Sequence, residues 1–282
     1  MTRQKHREGY RDERGAEPGK EWNEKRKSRR RRNRRKARIR FLASMLGTLL
    51  GAVLLVLVAY TALNLFCGFG KANTQKLREQ GYPESLIALV EHNPETKDFV
   101  LDYPKYKGLE EIDISKEVTK GEIPHFLQWD ERWGYENYGS DFLAVTGCGP
   151  TSLSMVVCGL TGDTKWNPYE VAKMAEDNGY YVDGSGSSWE LMSSGAEKLG
   201  LTVSSVIFDA EHIRATLESG QPIICVMGPG DFTDAGHFLV LTGVDQEGDI
   251  ILQDPNSVER TKQHWDVQKL MNQMKNLWSY RV

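Results

Sequence analysis

The sequence predicts an α+β domain behind a single apolar N-terminal segment, and three observations carry that reading. Residues 41–70 contain no charged side chain. Helix signals dominate between residues 148 and 200, each with a start and a glycine stop. Strand-like apolar runs concentrate after residue 202, which argues for helices packed on a largely antiparallel sheet rather than alternating βα units.

The net charge of −3 over 282 residues conceals an asymmetry. Residues 1–40 carry a net +12, and residues 71–282 carry −15. As a helix, residues 41–66 would run about 39 Å at about 1.5 Å per residue, enough to cross a ~30 Å hydrocarbon core with some tilt. A cleaved signal peptide would have a shorter apolar core and a shorter basic lead. Asn64-Leu65-Phe66 before Cys67 lacks the small residues of a lipoprotein site.

Four segments follow: a basic cytoplasmic arm at 1–40, a transmembrane helix at 41–67, a helical connector at 68–121 and the α+β domain at 122–282. Basic flanks stay in the cytoplasm, so the domain is expected on the extracytoplasmic side of a single-pass membrane protein. Membrane lipids are the expected partners of residues 41–67 and of the arm. Nucleic acid is not expected, because the arm has only Tyr10 and Trp22 as aromatics and abuts the apolar run. Cys67, Cys148, Cys158 and Cys225 form no disulfide framework, which in an exported domain suggests a bacterial surface protein, with Cys158 and Cys225 as buried thiols.

Within the connector, Tyr82-Pro83-Glu84-Ser85 opens a short helix. Asn93-Pro94-Glu95 opens a second, with Phe99, Val100 and Leu101 as its apolar face. Residues 105–121 are charged and poorly periodic, as in a linker. The first domain helix starts near Cys148, with Pro150 in its first turn, and stops at 159–162. Leu153, Met155, Val156, Val157 and Leu160 cover all its sides, so it is a central buried helix. Asn167, Pro168 and Glu170 start the next helix, and Gly179 stops it. A third runs from Ser187 or Ser188 to Gly200. Residues 202–208 read as a strand, and Asp209 caps a helix ending at Gly220. Strands follow at 222–227, 237–244 and 250–253, then a helix at 267–275 and a short terminal strand.

Gly147-Cys148-Gly149-Pro150-Thr151 places a cysteine where a tight turn becomes a helix. Unpaired N–H groups and the positive end of the helix dipole stabilise a thiolate there. A thiol nucleophile needs an imidazole to take its proton, and the imidazole needs an acceptor on its other nitrogen. The hairpin formed by 237–244 and 250–253 brings its two outer ends together, so His237 faces residues 254–257. Asp254 then serves as the orienter, with Asn256 as the substitute. The Cys148 N–H supplies one oxyanion donor, and the Gln128 side chain is the best candidate for the other. Trp129, Gly147, Trp189 and Gly236 adjoin these residues, or a glycine-rich loop beside them, and are candidate substrate contacts. His125, His212 and His264 are scattered and form no metal-ligand spacing, and neither a metal nor a cofactor is expected.

Q-W-D-E-R-W, G-C-G-P-T-S, M-G-P-G-D-F-T, G-H-F-L-V-L and Q-D-P-N-S, in that order, resemble the bacterial papain-like cysteine peptidases of family thirty-nine. The resemblance covers residues 123–282, and residues 82–103 resemble the region preceding the domain in membrane-anchored members. It implies a papain-like fold, with Cys148 as nucleophile, His237 as general base and then acid, Asp254 as orienter and Gln128 in the oxyanion hole. Gln128 stands 20 residues before Cys148, further than in the leader-processing relatives, so residues 131–147 must fold back between them. The chain has no G-x-x-x-x-G-K-S/T motif, so a leader-peptidase role tied to an ATP transporter is not expected. The expected activity is hydrolysis of peptide or amide bonds in a peptide or protein substrate. An acyltransferase, transpeptidase or cell-wall amidase using the same thiol is the alternative, as is a non-catalytic, membrane-anchored binding module.

Overall fold

The computed structural model describes residues 18–282, with side chains outside the description at 18–25, 37 and 59–73. The expectations for residues 1–17 and for the side chain of Cys67 lie outside the described residues. The chain divides into two units, Met1–Ala72 and Asn73–Val282. In the first, helix α1 (Pro18–Glu79) runs through the uncharged block. Its stretch Arg26–Val58 is, among the described residues, the one helix long and apolar enough to cross a membrane. The large apolar side chains from Phe41 to Val58 are exposed along it.

The second unit starts with α2 (Glu84–His92) and α3 (Lys97–Asp102), separated by one turn at Pro94–Thr96. The connector packs onto the domain. Leu77, Leu86, Ile87, Phe99 and Val100 form one apolar cluster with Tyr135 and Ala144, and the Phe99 ring stacks on Tyr135 with centroids 4.2 Å apart. The charged stretch 105–121, read as a linker, supplies Ile114 to the main core. A single buried side chain leaves no periodic trace in sequence.

Two short strands, β1 (Asn137–Tyr138) and β2 (Asp141–Phe142), form a hairpin that leads into α4 (Leu143–Thr146). Helix α5 (Cys148–Thr161) is buried along most of its length and ends at Gly162, whose φ of 78° only glycine adopts readily. Helix α6 (Pro168–Asp177) is capped by Asn167, which accepts from the Tyr169 and Glu170 N–H groups. A glycine-rich hairpin of β3 (Tyr181–Val182) and β4 (Gly186–Ser187) follows.

The third expected helix is broken. A 3-10 turn at Trp189–Met192 kinks at Ser193 before α7 (Ser194–Lys198). The Tyr280 hydroxyl donates to the Met192 carbonyl at 2.8 Å, taking an acceptor that a continuous helix would use.

The main sheet is wholly antiparallel. It comprises β5 (Thr202–Ser205), β6 (Ile223–Met227), β7 (His237–Val244), β8 (Ile250–Gln253) and β9 (Met274–Arg281), in the order β5-β9-β6-β7-β8. Between them lie α8 (Ala210–Glu218), α9 (Val258–Thr261) and α10 (Val267–Met271). The expected strand at 202–208 stops at Ser205, leaving Ile207 and Phe208 exposed. The expected last helix stops at Met271, and the terminal strand is eight residues long, paired to β5 on one side and β6 on the other.

Alternation divides the sheet between two cores. Ile224, Val226, Phe238, Val240, Trp278 and Tyr280 pack with α5, whereas Ile223, Cys225, Leu239, Leu241 and Leu277 pack with α8 and α10. Burial on both faces explains why β6 and the first half of β7 read as unbroken apolar runs. Each such Leu or Ile contributes about 1.5–3 kcal/mol by leaving water. The sheet thereby holds the starts of β7 and α5 as rigid platforms for the residues at their ends.

Candidate active site

Cys148 is the first residue of α5, a half-buried free thiol. The turn that presents it is tight. A Cβ on Gly149 would lie 2.4 Å from Ser187 Oγ, so only glycine lets β4 approach here. Ser187 Oγ in turn pairs with the buried Tyr138 hydroxyl at 2.8 Å. Burial pushes the Cys148 thiol up, but its hydrogen bond to His237 and the charge of that ring outweigh burial and bring it below the ordinary thiol value.

His237 opens β7 opposite Met227 of β6 and is 5 % exposed. Its Nε2 lies 2.7 Å from Asp254 Oδ1, at the end of β8. That leaves Nδ1 as the nitrogen for the Cys148 thiol. Burial lowers the imidazole, but the Asp254 charge and hydrogen bond, with a further contribution from Cys148, raise it to about 10. Burial alone would also raise Asp254, which is 0 % exposed; His237 and then Arg260 hold it below the usual carboxylate range.

The Asp254 carboxylate is fully engaged. Oδ1 also accepts from the Asn256 N–H at 2.8 Å, and Oδ2 accepts from Arg260 Nε. Its backbone is fixed as well. The Asp254 N–H donates to Thr261 Oγ1 at 2.9 Å, and its carbonyl accepts from His125 Nε2 at 2.7 Å. Of the two residues considered as partner for His237, Asp254 holds Nε2, while the Asn256 side chain accepts from Asn93 Nδ2 at 3.1 Å.

Gln128 is 3 % exposed and tied to the same loop by its backbone N–H, 2.7 Å from the Pro255 carbonyl. The hairpin β1–β2 and α4 fold residues 131–147 back, so that Gln128 Nε2 reaches the Ala144 carbonyl at 2.7 Å and the Val145 carbonyl at 3.5 Å. Its Oε1 is buried without a hydrogen-bond partner. The opposite amide orientation would set Oε1 against two carbonyls. Donation to a substrate oxygen therefore requires release of the longer contact.

The candidate substrate contacts are dispersed. Trp129 Nε1 donates to the Asn256 carbonyl at 3.2 Å, which makes it a brace on the Asp254 loop. Gly147 lies against the Leu143 carbonyl, and Gly236 faces open space beside His237. Trp189 is 47 % exposed and stands edge-on to Trp278, with centroids 5.9 Å apart. Among the described residues, no group of three His, Cys, Asp or Glu side chains could hold a metal ion.

Arg260, His125, Asn93 and Glu95 were not identified as site residues from sequence. Ser257-Val258-Glu259-Arg260 carries one usable signal: Ser257 is a helix N-cap, accepting from the Arg260 N–H at 3.0 Å. A helix starting there turns the chain back onto Asp254.

Comparison with known proteins agrees with this domain. No curated protein matches the chain. A solved structure of a C39-like protein from Bacillus anthracis is 19 % identical, covering 58 % of this chain and 97 % of its own, with a TM-score of 0.34. The model of the Peptidase C39 like family matches residues 120–282, which contain Cys148, His237 and Asp254. The chain belongs to the Peptidase C39 like family.

Proposed function

We propose that the chain is a membrane-anchored, extracytoplasmic cysteine peptidase of papain-like design, in which Cys148, His237 and Asp254 hydrolyse a peptide or amide bond. The observation that carries this reading is His237 itself, buried at the start of β7 and bound through Nε2 to Asp254 at 2.7 Å, with its charge holding the Cys148 thiol below the ordinary value. Asp254 fixes the tautomer and orientation and stabilises the imidazolium.

The steps follow from the groups present. His237 takes the Cys148 proton, and the thiolate attacks the substrate carbonyl carbon, placing negative charge on its oxygen. The Cys148 N–H at the start of α5 and the Gln128 amide donate to that oxygen. The tetrahedral centre collapses, the C–N bond breaks, and the imidazolium protonates the leaving amine. His237 then deprotonates a water that attacks the thioester, and the acid leaves as the thiol re-forms. The uncharged, exposed run of α1 supports anchoring, and the basic residues before it support a cytoplasmic N-terminus.

Reaction of the full chain with iodoacetamide, followed by peptide mapping, tests the chemistry. Cys148 should label at pH 6–7 well above the rate of an unactivated thiol, and His237→Ala should abolish the excess. Labelling at the ordinary thiol rate sinks the catalytic reading. Protease shaving of intact cells tests topology, and a protected domain would reverse the orientation.

A further inference from the structure

Helix α9, the single turn that carries Arg260 back to Asp254, is four residues long. A helix that short does not persist by itself, because nucleation is unfavourable and few of its hydrogen bonds are internal. Its N-terminus is held from far away in the chain. Glu95 accepts from the Val258 N–H at 2.8 Å and the Glu259 N–H at 3.3 Å, and it also takes the Ser257 hydroxyl. Two residues earlier, Asn93 Nδ2 donates to the Asn256 carbonyl at 2.6 Å and to the Asn256 Oδ1 at 3.1 Å.

These two side chains are themselves preset. Asn93 Oδ1 accepts from the Glu95 N–H at 3.1 Å, and the Asn93 carbonyl accepts from Thr96 Oγ1 at 2.7 Å. Phe99 and Val100, a few residues on, are buried in the cluster with Tyr135. The segment is therefore a rigid clamp rather than a tether, and it closes on residues 256–259, immediately after Asp254. It lies outside the region matched by the family model, 120–282.

We infer that Asn93 and Glu95 are positioning residues of the reaction: the upstream segment fixes the Asp254–Arg260 loop, and through it the orientation of His237 toward Cys148. This rests on the reading of Cys148 as an activated nucleophile. The clamp acts before any substrate arrives. Without it, the loop must order itself each time the carboxylate is to face the imidazole, and a carboxylate that wanders leaves the imidazolium and the thiolate less stabilised.

The test measures the rate at which iodoacetamide alkylates Cys148 from pH 4 to 9, in the full chain in detergent, below the thermal transition of every variant. Glu95→Ala should move the alkylation profile about one unit to higher pH, which lowers the rate on its rising limb about tenfold. Glu95→Gln, which keeps an oxygen for the Val258 N–H and an amide to donate to Ser257 Oγ, should recover most of the rate. Asn93→Ala should lower it about threefold, and this variant carries the test if Glu95→Ala does not fold. A purely structural role would lower the melting temperature and leave the pH profile in place. Wild-type profiles in the folded alanine variants overturn the inference, whereas an unactivated Cys148 in the unmodified chain overturns the peptidase reading itself.

Discussion

Arg260 holds the Asp254 oxygen that does not serve His237, its Nε donating to Oδ2. The carboxylate thereby has a fixed plane and a second positive neighbour, so it stays ionised although no part of it meets solvent. Arg260 is partly exposed, with 23 % of its side-chain surface in contact with water. The loss on removing it is therefore expected in acid behaviour more than in folding. Arg260→Leu should shift the acid limb of the Cys148 alkylation profile to higher pH, because Asp254 protonates sooner. Arg260→Lys, a point charge without the planar fork, should restore part of the shift. An unmoved acid limb in Arg260→Leu would remove Arg260 from the site's electrostatics.

Removal of the carboxylate should be severe for both rate and stability. Asp254→Asn offers one amide oxygen in place of two carboxylate oxygens, so either His237 or Arg260 meets an NH2 group, and both lose the anion. Loss of general acid–base function is worth about 10²–10⁴ in rate. Breaking a buried charge pair costs about 3–5 kcal/mol, and the exposed edge of Arg260 puts this case at the lower end. Turnover of a peptide library and urea unfolding measure the two losses separately.

The same pair sets a pH window for stability. His237 is raised from 6.5 to about 10, so its contribution is fully present below 6.5 and is lost as pH rises through about 10. Asp254 is lowered from 3.8, so its contribution is present above 3.8 and is lost as pH falls through its folded value. Thermal unfolding followed from pH 2 to 10 should show a plateau between these limits. In Asp254→Asn the acid-side loss attributable to this carboxylate should be absent.

The three described thiols should separate cleanly. Burial raises Cys158 to about 12 and pushes Cys225 further up, while Cys148 is lowered. Native-state iodoacetamide at pH 7 should modify Cys148 and spare Cys158 and Cys225 until the domain is unfolded. Equal labelling in the native state would contradict the burial and charge described for all three.

Gly149 and Ser187 should behave as a coupled pair. Gly149→Ala drives a Cβ into Ser187, whose Oγ and Cβ would lie 2.4 and 2.7 Å away, and overpacking of this kind costs about 1–3 kcal/mol. Ser187→Gly opens the space, so the double variant should be more stable than the sum of the singles predicts. Additive losses in denaturant unfolding would show that the backbone moves aside instead.

The legible part of the fold was the part written in local chemistry. Asn167, Asp209 and Gly162 cap helices where sequence puts them, because capping needs only neighbouring residues. The ends of β7 and β8 were readable from apolar runs flanking a turn, and hairpin geometry then brought His237 to Asp254. Features decided by distant partners were not readable. Tyr280 takes the Met192 carbonyl, where the helix breaks, across 88 positions, and Glu95 reaches Ser257 across 162. Neither leaves a periodic or compositional mark at the residue it acts upon.

The placement of β9 between β5 and β6 bears on how the protein is made. Until residues 274–281 have left the ribosome, β6 lacks one neighbour and β5 lacks its partner altogether. The strands beside the thiol can pair early, but the sheet that supports them is completed only when β9 arrives. The half-built domain therefore presents an apolar strand edge throughout elongation, a state prone to mispairing. The platform under His237 is thus finished only when β9 docks, well after the hairpin that carries His237 and Asp254 has been made.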